Sequence, residues 1–474
     1  MQQLLRPDIV AMEPYTPIVP FEVLSARLGR PVAEIIKLDA NENPYGPSPK
    51  ALAALAEGKF FHIYPDPESN QLREALVGLT GVPKEYLLAG AGADELIDLV
   101  ARAIINPGDG LINCPPSFGM YPFTAHVNSA RLISVPRRAD FSLDVEGIIA
   151  AASHSPTPKL IYLCSPNNPD GSTISDTDLR RILALPLLVV LDEAYIEFSE
   201  QLTVNSEQWT VNSEQWTVNS EQWTVNSEQS PGSIHHSPFT ITHSPFTIHH
   251  SPLPSLQSPV SQSLSLPVSQ SLSLPVSQSL SLPVSQSPSL PVSQSPSLPV
   301  SQSPSLPVSL SPASRITWVR EHDNLVVLRT FSKLAGLAGL RVGYGAFPLW
   351  LIEQLWKIKQ PYNVNVAATV AALASLEDIE WLREKRDLLV KERERLAAAL
   401  RTIPYLIPTP SQANFILCQV VGKDALALKL ALERAGILVR YFAKPGLENC
   451  IRVSVARPQD TDRLIEALGM IHNT

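Results

Sequence analysis

The sequence has few cysteines, no basic excess and no long hydrophobic run. Its 474 residues include four scattered cysteines, none in a CxxC arrangement, which predicts free thiols in a reducing cytoplasm and no metal site. The net charge of −8 argues against a nucleic-acid partner, since such proteins carry a basic surface. No apolar run approaches the roughly 20 residues that span a bilayer, and the first residues do not form a secretory signal. We therefore expect neither nucleic acid nor membrane as a partner.

Low-complexity repeats occupy the middle of the chain. The heptapeptide TVNSEQW recurs from Thr203, and proline octads such as LPVSQSPS follow it with a period of eight. These units are too short for a solenoid, and proline at this density forbids helices and interrupts sheets. Residues 201–313 are therefore predicted to be a disordered Ser/Pro/Gln-rich insertion.

The rest of the sequence has the pattern of an α/β protein. Short aliphatic runs such as LIYLC, LLVVLD and NLVVLRT are bounded by turn residues and alternate with helical patterns. Such runs are typical of parallel strands that are buried on both faces. The prediction is a large domain with a mostly parallel, doubly wound sheet and a smaller α+β domain. The large domain comprises residues 51–200 and 314–347, residues 348–474 form the small domain, and residues 1–50 supply an arm and part of the small domain.

Polar residues follow the predicted strands. Asn168, Asp192 with Tyr195, and Ser332 with Lys333 each come directly after an aliphatic run. Ligands of open parallel sheets bind beyond the carboxyl ends of the strands. An aspartate there is costly to bury without a partner, although a helix cap or an internal ion pair would also explain it.

The stretch TFSKLAGLAGLRVGYG, residues 330–345, contains two cations and no acid. The two charges indicate an anionic ligand, and pyridoxal phosphate meets every requirement. A lysine in apolar surroundings, Lys333, can form a Schiff base, and Asp192 can keep the ring nitrogen protonated. Arg341 can clamp the phosphate, and the helix start at Gly92 offers free N–H groups. Gly336 and Gly339 are expected to permit close backbone approach.

The order of these motifs resembles the pyridoxal-phosphate-dependent aminotransferases of the aspartate aminotransferase superfamily, and within them the histidinol-phosphate aminotransferases. The matching stretches cover nearly everything outside residues 201–314: LDANENPYGPS (38–48), YPDPESNQLREAL (64–76), GAGADELIDL (90–99), PPSFGMY (115–121), SPNNPDG (165–171), LDEAYIEF (191–198), RTFSKLAGLAGLRVGY (329–344) and IRVSVARPQD (451–460). One departure is Asp170, where the family usually has threonine; it is expected to cap the next helix.

The resemblance implies a role for each matching residue. Lys333 would be the Schiff-base lysine and proton shuttle, Asp192 would pair with the pyridinium, and Tyr195 with Asn168 would hold the phenolic oxygen. Phe118 would stack on the ring. The phosphate would lie among Ala93, Asp94, Ser332 and Arg341, with Tyr64 reaching it from the second subunit of a homodimer. Substrate would contact Arg452, Arg440, Tyr15 and Asn43, although a packing or surface role is an equal alternative for these four.

The implied reaction is amino transfer from L-histidinol phosphate to 2-oxoglutarate, which yields imidazole acetol phosphate and glutamate in histidine biosynthesis. A threonine-phosphate decarboxylase, or an aromatic or other amino-acid aminotransferase, shares the same cofactor residues and stays open. From another class, the chain could be a non-catalytic relic or a repeat-bearing interaction protein.

The insertion separates Asp192 from Lys333 by about 110 more residues than the family has. Loop closure costs about 0.6 kcal/mol per doubling of length, so the insertion costs on the order of 2 kcal/mol. We therefore expect the enzyme to fold around the repeats, and removal of residues 203–312 to leave turnover nearly unchanged.

Overall fold

The computed structural model describes residues 4–10, 12, 19–153, 157–199, 311 and 313–472, which all lie in one compact unit of the chain. The predicted insertion, apart from Ser311 and residue 313, and the predicted contact Tyr15 lie outside these residues. The helices are α1 (Pro7–Val10), α2 (Phe21–Leu28), α3 (Pro49–Ala56), α4 (Asn70–Thr80), α5 (Ala93–Ile104), α6 (Met120–Val127), α7 (Val145–Ala152), α8 (Asp176–Leu183), α9 (Leu349–Ile358), α10 (Val366–Glu377), α11 (Ile379–Arg401), α12 (Ala425–Arg434) and α13 (Pro458–His472). The strands are β1 (Ile36–Leu38), β2 (Leu87–Gly90), β3 (Gly110–Asn113), β4 (Arg131–Ser134), β5 (Leu160–Cys164), β6 (Leu188–Asp192), β7 (Leu325–Thr330), β8 (Gly343–Ala346), β9 (Leu406–Pro408), β10 (Phe415–Val420), β11 (Ile437–Tyr441) and β12 (Cys450–Ser454).

Seven strands form the larger sheet, in the order β2-β8-β7-β6-β5-β3-β4. Every neighbouring pair is parallel except the two that involve β8, which runs antiparallel to β2 and β7. In register, Asp192 at the end of β6 lies between Cys164 of β5 and Leu328 of β7. The three strands that precede the predicted site residues therefore end at one edge of the sheet.

The larger sheet is buried on both faces. Along β5, Ile161 and Leu163 belong to one hydrophobic cluster, whereas Leu160 and Tyr162 belong to a second. Successive side chains of a strand point to opposite faces, so the two clusters are the two helix-covered sides of the sheet. This explains the aliphatic runs in the sequence and confirms the predicted α/β fold with a mostly parallel sheet.

Five strands form the smaller sheet, in the order β1-β11-β12-β10-β9. The N-terminal strand β1 pairs in parallel with β11, which brings residues 39–43, just beyond β1, to the C-terminal part of the chain. The long helix α11 packs through Leu382, Leu389 and Leu396, which are all buried. This sheet and its helices form the α+β part that the sequence pattern predicts.

Described residues on both sides of the segment 200–310 meet at one buried arginine. Arg329 of β7 is 3% exposed, and its Nη2 contacts Glu197 Oε1 at 3.1 Å and the hydroxyl of Ser311. Glu197 precedes the insertion, and Ser311 lies near its C-terminal end. Arg393, also buried, donates a hydrogen bond of 2.9 Å to the carbonyl of Phe198. We name the Arg329, Glu197 and Ser311 group the clasp.

Shortening the insertion is expected to stabilise the protein if the clasp is kept. Because Ser311 contacts Arg329, the deletion should spare it, unlike the range 203–312 that the sequence suggests. Replacing residues 201–309 with a short Gly/Ser linker is expected to raise the melting temperature by a few degrees, in line with a loop-closure saving of about 2 kcal/mol, and to leave kcat within about twofold of the full chain because the clasp still fixes both ends. The same deletion with Ser311→Ala is the control, and it should melt lower. A large loss of kcat on the simple deletion would contradict the expectation.

Candidate active site

Asp192 is the buried acid at the edge of the larger sheet. Its side chain is buried. It accepts hydrogen bonds from the Tyr121 hydroxyl at 2.8 Å and from the Ala194 N–H at 3.0 Å. Burial raises the pKa of Asp192 from 3.8 to about 6, and the two hydrogen bonds and the charge of Lys333 oppose that rise. Within the described part of the chain Asp192 forms no salt bridge, and a protonated ring nitrogen would supply a cationic partner.

Lys333 is the amine at the same edge, three residues after β7. Its Nζ lies 3.4 Å from the carbonyl of Ala40 and 5.3 Å from the centre of the Tyr195 ring. Burial, and next the positive charge of Arg452, lower the pKa of Lys333 from 10.5 to about 8. A substantial fraction of this amine is therefore neutral near physiological pH, which is the state that can attack an aldehyde or accept a proton.

A chain of hydrogen bonds joins the larger sheet to the smaller one. The hydroxyl of Tyr195 accepts from Asn41 Nδ2 at 3.2 Å and from Asn168 Nδ2 at 3.5 Å. Asn168 Oδ1 accepts from Arg452 Nη1 at 2.5 Å. Burial raises the pKa of Tyr195, so the phenol stays protonated and can donate to a ligand. The chain places a guanidinium, an amide and a phenol in one row beside Lys333.

The two arginines predicted for substrate lie opposite each other in the smaller sheet. Arg440 of β11 and Arg452 of β12 are register partners. The guanidinium carbon of Arg452 lies 5.1 Å from the Phe415 ring centre and 5.6 Å from that of Phe442, and Arg440 lies 5.8 Å from the Phe442 ring. Two neighbouring cations flanked by aromatic rings suit an anionic substrate group.

The predicted phosphate-binding residues meet at the start of α5. Gly92 has φ 84°, a backbone conformation that favours glycine, and a Cβ there would come within 2.7 Å of Nη2 of the flexible Arg341 side chain. Arg341 Nη2 contacts Asp94 Oδ2 at 2.8 Å, and its Nη1 lies 3.5 Å from the Ser332 hydroxyl. The first helical residue, Ala93, is 8% exposed. An acid on α5 therefore supplies the partner that Arg341 lacks in its own stretch.

That ion pair does not exclude a phosphate. The side chains of Arg341 and Asp94 are nearly half exposed, at 47% and 43%, and pairs at this exposure contribute only about 0–1 kcal/mol. A dianionic phosphate beside the N-terminus of α5 would compete well for the guanidinium.

Two expectations about the loops are wrong in detail. Gly336, with φ 70°, touches the Gly46 backbone so closely that a Cβ would lie 2.4 Å from its carbonyl oxygen, whereas Gly339 has open space around it. Only Gly336 is needed for close approach. Asp170 does not cap the next helix: its Oδ2 accepts from the Ser172 N–H at 2.8 Å within a turn, and Ser175 caps α8.

The other predicted site residues, Phe118, Asn43 and Tyr64, differ in burial and in their contacts. Phe118 packs edge-on against Tyr121 with ring centres 5.6 Å apart. The amide of Asn43 is held inside the protein, where Nδ2 donates to the Leu334 carbonyl at 2.7 Å and Oδ1 accepts from the Tyr45 N–H at 2.9 Å. Asn43 thus braces the loop of Lys333. Tyr64 is 79% exposed and stacks on Tyr362.

Two residues of this site were missed in the sequence. Tyr121 lies on α6 and holds Asp192, and Asn41 follows β1 and holds Tyr195. Tyr121 stands three residues after Phe118, but Phe118 precedes α6, so helical spacing does not link the two. No local pattern could have assigned Asn41 to Tyr195, because 154 residues separate them.

The acid, the amine and the arginine cradle fit pyridoxal phosphate. Burial raises the pKa of Asp192 and lowers that of Lys333, and Arg341 lies beside Ser332 and the N-terminus of α5. Among the described residues there is no cluster of three or more His, Cys, Asp or Glu side chains that could bind a metal ion. Nor does that part of the chain contain a helix long and apolar enough to cross a bilayer.

The sequence matches the family model described as aminotransferase class I and II over residues 33–221 and 302–468. The chain belongs to this family. The two matched stretches leave residues 222–301 between them, within the repeats.

Two relatives named histidinol-phosphate aminotransferase are similar to the chain over nearly its whole length. The chain is 43% identical over 469 residues to histidinol-phosphate aminotransferase 1, chloroplastic, of Arabidopsis thaliana, covering 99% of this chain and 86% of the relative. It is 40% identical over 473 residues to the histidinol-phosphate aminotransferase of Roseiflexus castenholzii, covering 98% and 97%. The crystal structure of histidinol-phosphate aminotransferase from Sinorhizobium meliloti in complex with pyridoxal-5'-phosphate superposes with a TM-score of 0.68 at 23% identity, over 99% of this chain and 98% of that one. That structure shares the fold.

Proposed function

We propose that the protein is a pyridoxal-phosphate-dependent aminotransferase that moves the amino group of L-histidinol phosphate to 2-oxoglutarate, a step of histidine biosynthesis. The observation that carries the proposal is the pair formed by Asp192, with its pKa raised to about 6, and Lys333, with its pKa lowered to about 8, at neighbouring strand ends. The names of the full-length relatives supply the substrate.

Each residue has a task that its surroundings suit. When bound, pyridoxal phosphate supplies an electron sink for the charge that develops as a proton leaves the substrate. Asp192, held by Tyr121 and Ala194, would keep the ring nitrogen protonated. Lys333 would bind the aldehyde and move the proton, since its pKa of about 8 lets Nζ both take and give one.

The other assigned side chains bind and orient. Tyr195 and Asn168 would donate to the phenolic oxygen, and the ring of Phe118 would cover one face of the cofactor. The phosphate would lie among Ala93, Asp94, Ser332 and Arg341. The substrate's phosphate and the carboxylates of 2-oxoglutarate would both be clamped by Arg452 with Arg440, because a guanidinium fork accepts either oxyanion. Asn43 and Tyr15 complete the proposed substrate contacts.

A homodimer is part of the proposal. The segment before α4 exposes four large apolar side chains, of which Tyr64 is 79% exposed; the others are Phe60, Phe61 and Ile63. Contiguous exposed aromatics mark interaction surfaces. Tyr64 would reach the phosphate of the second subunit from this segment.

The organisation and location of the chain stay proposals. The domain boundaries proposed from the sequence leave both sheets intact, with β1 assigned to the N-terminal part of the small domain. All four cysteines are buried and free, which is consistent with a reducing cytoplasm.

A substrate panel tests the function. The full-length protein, purified with pyridoxal phosphate, is given L-histidinol phosphate, L-phenylalanine or L-threonine phosphate with 2-oxoglutarate, and glutamate and carbon dioxide are measured. We expect glutamate formation with the highest kcat/KM on histidinol phosphate and no carbon dioxide. Higher kcat/KM on phenylalanine, or carbon dioxide from threonine phosphate, would reassign the substrate. No product from any of them, with cofactor bound, would indicate a non-catalytic relic.

A further inference from the structure

Three consecutive residues after β1 contact three different residues of the site. The carbonyl of Asp39 accepts from Arg452 Nη2 at 2.7 Å, and the carbonyl of Ala40 accepts from Lys333 Nζ at 3.4 Å. Asn41 Nδ2 donates to the Tyr195 hydroxyl at 3.2 Å. A displacement of this one turn would therefore move the acceptors or donor of all three functional side chains together.

Asn41 is what fixes the turn. Its φ of 57° lies in the left-handed region, which asparagine tolerates better than most residues. It is 1% exposed, and every polar group it has is used. Its N–H donates to the Ser454 hydroxyl at 2.9 Å, its Oδ1 accepts from that hydroxyl at 2.8 Å, and its carbonyl accepts from Asn414 Nδ2 at 3.0 Å.

The contacts of Asn41 join the two sheets. Ser454 belongs to β12 of the smaller sheet, whereas Tyr195 follows β6 of the larger one. Its backbone and Oδ1 are committed to the smaller sheet, so only Nδ2 reaches across. Removing the side chain thus breaks the link to Tyr195 and leaves the backbone bonds to Ser454 and Asn414 possible.

We propose that Asn41 is a positioning residue of the aminotransferase site, which holds the 39–41 turn so that Tyr195, Lys333 and Arg452 keep one mutual arrangement. The proposal rests on the proposed function for its kinetic readouts. It assigns the turn a role in catalysis beyond holding the fold, because the donor and acceptors it presents face groups that act on cofactor and substrate.

Asn41→Gly is the sharpest variant, since glycine adopts the left-handed conformation without strain and lacks only the side chain. We expect kcat on histidinol phosphate to fall about tenfold, the size of effect that a lost buried hydrogen bond and a small misplacement produce. In the cofactor-free protein the pKa of Lys333, measured from the pH dependence of its labelling by trinitrobenzenesulfonate, should move down by about half a unit or more. The reason is that a loosened Ala40 carbonyl favours the charged amine less.

A double-mutant cycle separates positioning from general destabilisation. In a Tyr195→Phe background, Asn41→Gly should cost only about twofold in kcat, because the shared contact is already gone. The control Asn324→Gly removes an amide that donates to the carbonyls of Leu183, Leu185 and Leu187, away from the site. It should lower the melting temperature without changing kcat or the pKa of Lys333.

The outcomes are distinct. Unchanged kcat and an unchanged Lys333 pKa in Asn41→Gly would overturn the proposal, as would equal costs in both backgrounds. The labelling experiment needs no substrate. A shifted Lys333 pKa in a protein that does not turn over histidinol phosphate would therefore uphold the positioning role and refute only the substrate.

Discussion

Lys333→Ala is expected to lose at least about 10³-fold in transamination rate, because one side chain provides both the group that binds the aldehyde and the base that moves the proton. The variant should still fold, since the Nζ that it removes makes a long hydrogen bond, 3.4 Å, to the carbonyl of Ala40. Borohydride should fix cofactor to the wild-type chain and not to the variant, as mass spectrometry of the peptide that contains residue 333 would show.

Lys423 provides a matched control for that change. Its Nζ also contacts a carbonyl, that of Ile471 at 2.9 Å, and lies 5.0 Å from the centre of a tyrosine ring, Tyr405. Lys423→Ala should therefore cost comparable packing and leave the rate unchanged. If Lys333→Ala kept more than about a tenth of the wild-type rate, the assignment of the lysine would be wrong.

Asp192→Asn is expected to slow transamination by about 10²- to 10³-fold, the range for removal of one preorganised electrostatic contact. Asparagine keeps the volume and can still accept from Tyr121 or Ala194, but it cannot hold a proton on the ring nitrogen. Cofactor should also bind more weakly, which equilibrium dialysis would measure. Glu392→Gln neutralises another buried carboxylate, 5% exposed on α11, and should leave the rate unchanged.

The same substitution should stabilise the cofactor-free protein. A pKa of about 6 in place of 3.8 means that the ionised carboxylate costs the empty fold about 3 kcal/mol. Because the folded-state pKa is the higher one, this cost is absent below pH 4, grows as the pH rises toward 6 and is constant above it. The melting temperature of Asp192→Asn should thus be higher than that of the wild type at pH 7 and equal to it at pH 3.5. Equal melting temperatures at pH 7 would contradict the raised pKa.

Local sequence patterns predicted most of the fold and the site residues that follow strands of the larger sheet. The aliphatic runs identified β5, β6 and β7, and the rule that ligands bind at strand ends then put Asn168, Asp192 and Lys333 at one edge. The position of each of these side chains can be predicted once the strand that precedes it is recognised in the sequence. The resemblance to a family added Phe118, Tyr64 and the arginines of the smaller sheet.

What the sequence could not indicate depends on pairs that are distant along the chain. Tyr121 reaches Asp192 across 71 residues, and Asp94 reaches Arg341 across 247. The ion pair of Arg341 could not be read from the 330–345 stretch for this reason, because its acid comes from α5. Asn41 was hidden for the same reason, and Gly339 was overvalued because a glycine pattern does not reveal which glycine meets another backbone.

The clasp has a consequence for how this gene product can change. Glu197 and Ser311 contact the same guanidinium nitrogen of Arg329. The two residues are therefore held next to each other, although more than 100 residues of the chain lie between them. The pairing of β6 with β7, for example Val190 with Val326, involves residues outside the segment between Glu197 and Ser311. We therefore expect that whole repeat units can be gained or lost between Glu197 and Ser311 without shifting the β6–β7 register, and that a foreign domain with neighbouring termini could be grafted there.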